Sequence, residues 1–191
     1  MRSLYWRAMK LKILTLLSSL VFAIAIGAEP PASGEFPVPG HGALVLTWPA
    51  NWTHHETEAK ADVPPTIEFS DATGDTKMLV TPIWSPKNDP QFTSVEFIRA
   101  RVEAAAKGVQ ESSVEKELAL QEITSRTGRG FYFSATDRAP KPGEYEYMAF
   151  GIVPAGDVLV SFTILTHTAP PKGLSIPLII ARMARQISTN M

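Results

Sequence analysis

The sequence predicts an α+β fold, a mainly antiparallel sheet with helices packed on it, from three observations. Short runs rich in β-branched and aromatic residues are joined by tight turns of Gly, Asp and Pro, as antiparallel hairpins require. Apolar residues recur at spacings of three and four in two stretches only, one near the middle of the chain and one at its end. No regular alternation of strand and crossover helix is present, which sets aside a parallel doubly wound sheet. With 191 residues, 45% hydrophobic and 19% charged, the chain suits one ordinary domain with a sizeable core.

The elements follow in order. Residues 1–28 read as a secretory signal peptide: Arg2, Arg7, Lys10 and Lys12 precede an apolar run from Ile13 to Ile26, and small residues offer cleavage after Ala25 or Ala28. The apolar run stops short of the roughly 20 residues that a membrane-crossing helix needs. The predicted location is therefore secreted or periplasmic, with no stable membrane anchor after cleavage. Residues 29–42, "EPPASGEFPVPGHG", are rich in Pro and Gly and are expected to be a flexible leader ending in an extended segment. A single domain is expected over 43–191.

"ALVLTWPANWTHHETE" reads as a strand to Trp48, a Pro-Ala-Asn turn and a second extended stretch from Trp52. "TIEFSDAT" and "TKMLVTPIW" form a hairpin about Thr73-Gly74-Asp75. Val95, Ile98, Val102, Ala105 and Val109 mark one apolar helix face, with Thr93 and Glu96 as its capping box and Gly108 as its end. Its charged face, with Glu96/Arg99, Arg99/Glu103 and Glu103/Lys107 three or four apart, is solvated. Residues 113–124 fit neither period cleanly, with a strand expected from Glu117.

"RGFYFSATD", "EYEYMAFGIVPA" and "DVLVSFTILTH" are the longest strands, the last two joined by the turn at 154–157. In the last, Val158, Val160, Phe162 and Ile164 share one face while Leu159 and Leu165 take the other, the pattern of a central strand covered on both sides. A second helix is expected from Ser175, stapled by Leu174 and Ile179, with Ile176, Ile180, Met183 and Ile187 on its core face.

This order of elements, with the Trp-Pro-x-x-Trp segment at 48–52, resembles the PsbP-like or Mog-type α/β/α sandwich. That fold is known from photosystem II extrinsic subunits, a Ran-binding nuclear import factor and uncharacterised exported bacterial proteins. The resemblance covers nearly all of the mature chain and implies a family of mostly non-enzymatic binding and assembly proteins. It has no shared active-site motif, so no residue carries over as functional.

Composition and motifs narrow the chemistry. Cleavage before Glu29 leaves 14 basic against 19 acidic residues, a formal charge of −5 where the whole chain has −1. This argues against a nucleic-acid partner, which requires a basic stripe to displace counterions. The chain has no cysteine, which removes lipidation at a thiol, thiolate catalysis and cysteine-ligated zinc. No nucleophile elbow or phosphate-binding glycine loop is present, and no cofactor is predicted.

His54 and His55 are adjacent in an expected strand, so their side chains leave on opposite faces. His54 with Glu56 or Glu58 supplies two ligands of the three or four that zinc takes, and no metal site is predicted. His41 and His167 have no partner evident in sequence. Glu144 and Glu146 share a strand parity and read as solvated carboxylates, and Asn51-Trp52-Thr53 matches a glycosylation pattern by chance if the source is bacterial. Trp48, Trp52 and Trp84 read as core aromatics rather than a ligand platform.

The candidate binding residues are Asp137, Arg138, Lys141, Glu144 and Tyr145, at the tip between the strands bearing Phe131-Phe133 and Tyr145-Tyr147. Charges of alternating sign on a backbone restricted by Pro140 and Pro142 form either a stiff docking surface or a turn that pairs its charges internally. No catalytic residue is expected. The leading functional expectation is a binding or assembly module with a protein partner in the cell envelope. A periplasmic hydrolase with a His/carboxylate site and a structural envelope protein without a ligand site are the alternatives.

Overall fold

Alternation of apolar and polar residues drives this chain into strands, and a computed structural model shows how they assemble for residues 30–57, 64–85, 87, 89–169 and 185–187. A three-stranded sheet is formed by β1 (Ala32–Val38), β2 (Gly42–Trp48) and β10 (Arg185–Ile187), with β2 in the middle. The larger sheet holds β3 (Thr53–Glu56), β4 (Ile67–Ser70), β5 (Thr76–Ile83), β6 (Gln121–Thr124), β7 (Arg129–Thr136), β8 (Tyr147–Ala155) and β9 (Val158–Thr166). Its order is β3-β4-β5-β9-β8-β7-β6, and every neighbouring pair is antiparallel. One helix, α1 (Val95–Val109), packs on it.

Two cores lie on opposite faces of the large sheet. On one, Phe36, Leu44, Leu46 and Trp48 of the small sheet meet Ile67, Phe69, Val80, Val160, Phe162 and Ile164. On the other, Ile98, Val102 and Ala106 of α1 meet Phe131, Phe133, Ala135, Ile152 and Leu159. The α+β expectation holds. The layer opposite α1 is, among the described residues, a small sheet rather than a helix.

Several local expectations are corrected. The predicted flexible leader holds β1 instead: Phe36 and Val38 are buried two residues apart, and β1 pairs with all seven residues of β2 from Ala32↔Trp48 to Val38↔Gly42. Turn-rich composition hid a period-two pattern, because Pro37 is tolerated on an edge strand and Gly40, at φ 77°, belongs to the tight turn that reverses the chain. The α1 cap is Ser94, whose Oγ accepts the Phe97 amide at 3.2 Å, rather than Thr93. Ala106, rather than Ala105, is the buried alanine of the helix face beside Ile98 and Val102.

Gly108 does not end α1, which continues to Val109 and into a 3-10 turn at Gln110–Ser112. The strand expected from Glu117 starts only at Gln121. Gln110 explains the delay: its amide donates to Glu115 O at 2.8 Å and its carbonyl accepts the Leu118 amide at 3.1 Å, holding 115–118 as a loop. The predicted second helix and the signal peptide lie outside the described residues, apart from Ile187, which stands in β10.

Glycine at 151 is dictated by packing. A Cβ there would meet the Phe162 ring tip, the Tyr132 Cβ at 2.6 Å and the Phe131 carbonyl oxygen at 2.7 Å. Backbone cannot move aside as a side chain can, so Gly151→Ala should lower stability by about 3 kcal/mol in urea denaturation. Gly108 meets nothing within 4 Å of an added Cβ. Gly108→Ala should therefore raise stability by about 0.5–1 kcal/mol through helix propensity.

Candidate functional site

At one end of the large sheet the β7–β8 loop, the β4–β5 turn, the residue after β9 and the chain leaving α1 converge. The loop is wound from its own residues. Asp137 donates its amide to Glu146 O at 2.8 Å, extending the β7–β8 ladder, and its Oδ1 accepts the Ala139 amide at 2.9 Å. Lys141-Pro142-Gly143-Glu144 makes a turn closed by Glu144 N to Lys141 O at 2.9 Å, with Gly143 at φ 86°. Proline then glycine at the two central positions are what a type II turn requires. Glu144 Oε2 accepts the Lys141 amide at 3.0 Å, and its other oxygen lies 3.7 Å from Lys141 Nζ.

Contacts with neighbouring segments fix the loop to the body. Arg138 donates its amide to Ser112 O at 2.9 Å and its Nη2 to Ser113 O at 2.6 Å. Tyr145 stacks on His167 with ring centroids 4.2 Å apart, and its hydroxyl lies 3.4 Å from Gly74 O. His167 in turn donates its amide to Asp75 O at 3.1 Å. Tyr145 belongs to this loop; β8 begins at Tyr147.

Below the loop, β6 covers β7 only as far as Tyr132. The rest of that edge is closed by the segment after α1. Val114 donates to Thr136 O at 2.8 Å, and the Glu115 carboxylate accepts both the Thr136 amide at 2.9 Å and its hydroxyl at 2.7 Å. Burial alone pushes the Glu115 carboxyl up, but these bonds together outweigh it and hold the group below its ordinary value.

Two shallow cavities flank the β7–β8 pair here. One of about 200 Å³ is lined by Glu115, Ser134, Thr136, Tyr147 and Thr166 with Ala149 and Ile164. The other, of about 210 Å³, lies on the α1 side and is bounded by Val109, Ala135, Met148 and Leu165 with Asp137 and Glu146. The Lys141 and Glu144 side chains are 81% and 51% exposed. Sequence reasoning missed Ser113 and Glu115, whose partners Arg138 and Thr136 are more than twenty residues away, and Gln110, whose side chain bridges an irregular loop that no period reports.

The catalytic groupings do not form. His54 faces Trp48, Phe36 and Phe69, with its ring 4.8 Å from that of Trp48. The strands β4 and β5 separate it from the strand leading to His167, which puts the two histidines roughly 15 Å or more apart at ordinary strand spacing. His41 Nδ1 lies 2.7 Å from Asp157 Oδ2, joining the β1–β2 and β8–β9 turns. Glu144 sits in its turn with Lys141 rather than on a strand beside Glu146. Among the described residues no three histidines or carboxylates gather as a metal site, and no helix is long and apolar enough to cross a membrane.

No protein-family profile matches the chain, nor does any curated protein. Its fold is similar to that of solved structures. The solution structure of cyanobacterial PsbP (CyanoP) from Synechocystis sp. PCC 6803 superposes with a TM-score of 0.52 at 10% identity, over 85% of this chain and 96% of that one. A crystal structure from Bacteroides thetaiotaomicron VPI-5482 gives a TM-score of 0.49 at 12% identity, covering 78% of this chain and 46% of that one. The architecture is thus PsbP-like, as the order of elements predicted.

Glu115 sets a test of the edge closure. Its folded pKa lies below its unfolded value, so its contribution to stability is fully present above about pH 4.3 and is lost as pH falls through the folded pKa. Glu115→Gln should cost about 1 kcal/mol at neutral pH. Denaturation at a series of pH values should show the gap to wild type narrowing below about pH 4.

Proposed function

We propose that this protein is an exported binding or assembly module of the cell envelope that contacts a protein partner through the 137–146 loop. The observation behind this reading is the loop's preorganisation. Asp137, Arg138, Glu144 and Tyr145 are each tied to the body or to the loop itself, while the side chains of Lys141 and Glu144 remain 81% and 51% exposed at the closed turn. A loop already ordered loses little entropy on binding, so its exposed groups contribute to affinity rather than to folding the loop.

Three further features support the reading. The N-terminal charge and hydropathy pattern is that of an export signal. The fold is similar to that of cyanobacterial PsbP. His54 and His167 lie at strands separated by β4 and β5, and Glu144 is held in its own turn, so these groups do not gather into one site.

Lys141→Ala/Glu144→Ala removes the exposed charges and leaves the anchors of Arg138 and Tyr145 in place. Wild type, immobilised in its mature form, should retain a partner from an envelope extract that the double variant retains at roughly a tenth of the level, as the loss of charged contacts gives. The two proteins should differ in stability by no more than about 1 kcal/mol, the contribution of the one exposed bond from the Lys141 amide to Glu144. Equal retention by the two would rule out docking through the loop tip.

A further inference from the structure

The cavity on the α1 side of the β7–β8 pair has a lining that the binding reading leaves unused. Its volume, about 210 Å³, is below the 300–1,000 Å³ of sites that take drug-sized molecules and suits one long side chain. Its apolar surface comes from Val109, Ala135, Met148 and Leu165, and two carboxylates, Asp137 and Glu146, stand at it from the two arms of the loop base. Val109 is the last residue of α1, so the negative end of the helix dipole faces the same space.

Among the described residues, no lysine or arginine lines the cavity. The nearby cations have partners of their own, Arg138 at Ser113 O, 2.6 Å, and Lys141 opposite Glu144, 3.7 Å. An apolar slot with two carboxylates and no resident cation is complementary to an aliphatic stem ending in a positive charge. Beside it, Val114 is 56% exposed, an apolar shoulder for the partner's backbone.

We propose that this cavity receives one lysine side chain of the partner protein. The proposal rests on the reading of this sheet end as a protein-contact surface. Lysine is favoured over arginine because the two acidic residues stand on different arms of the loop base and Asp137 does not offer a free pair of oxygens, its Oδ1 accepting the Ala139 amide. A guanidinium fork seeks a bidentate carboxylate, whereas a compact ammonium with three donors bridges two separate acceptors.

The test is a titration of the isotope-labelled mature protein with acetyl-Gly-Gly-Lys-Gly-Gly-amide, read from backbone amide NMR shifts. The expected result is saturable shifts centred on Ser113, Asp137, Glu146 and Met148. Peptides with norleucine or arginine in place of lysine should bind roughly tenfold more weakly, as should Asp137→Asn/Glu146→Gln to the lysine peptide. The Asp137→Asn substitution keeps an acceptor for the Ala139 amide, and Glu146→Gln alone serves if the double variant does not fold.

Absence of saturable shifts, equal affinity for the norleucine peptide or undiminished binding by the variants would overturn the proposal. Tighter binding of the arginine peptide would overturn the lysine assignment, and n-butylamine binding as well as the peptide would overturn the protein source. Failure here with partner capture still dependent on Lys141 and Glu144 would leave the loop-docking reading standing. The reverse outcome would separate the two in the other direction.

Discussion

Burial of β9 on both faces is the constraint on which the structure depends. Val158, Val160, Phe162 and Ile164 enter the core under the small sheet, while Leu159 enters the core under α1. The strand is paired along its length on both sides, from Thr76↔Thr166 to Ile83↔Leu159 with β5 and from Tyr147↔Thr166 to Ala155↔Val158 with β8. A shift of register by one residue would exchange the two apolar sets between cores of different shape, so register here is strongly specified. Gly151 shows how tightly this centre is filled, since the Phe162 ring occupies the place of its missing side chain.

The sheet's far arm is held by polar contacts instead. Past the end of β6, the β7 edge would present unpaired backbone groups. The segment leaving α1 closes it through the Val114 amide, the Glu115 carboxylate and the Ser113↔Asp137 bridge. The same segment gives Arg138 its anchoring carbonyl. Edge protection and positioning of the loop are thus one device, and the loop inherits the rigidity of the helix end to which it is fastened.

Legibility in the sequence followed the range of the interaction. The hairpins at 70–76 and 155–158, the α1 face and the two-sided pattern of β9 rest on residues within a few positions of one another. Period and turn chemistry therefore report them. β1 was hidden because the segment around it, residues 29–42, is rich in proline and glycine, while its burial depends on Trp48 and Phe69 elsewhere. At the loop, Asp137-to-Ala139 and Lys141-to-Glu144 contacts are local and were foreseeable as turn pairing. The Tyr145–His167 stack and the Arg138–Ser113 bond join residues more than twenty apart, which no local pattern reports.

By itself the sequence determined the secondary-structure class, the antiparallel hairpins, the central strand and the charged tip, because each follows from backbone preference and hydrophobic period over short distances. Tertiary structure decided that the leader becomes a strand, that a small sheet forms the layer opposite α1, and that the histidines stay apart. It also decided that the opposite charges at the loop are shared between turn closure and anchorage, leaving two carboxylates beside an apolar slot. Those outcomes depend on which segments meet in space, and that is settled only when both faces of the large sheet are covered at once.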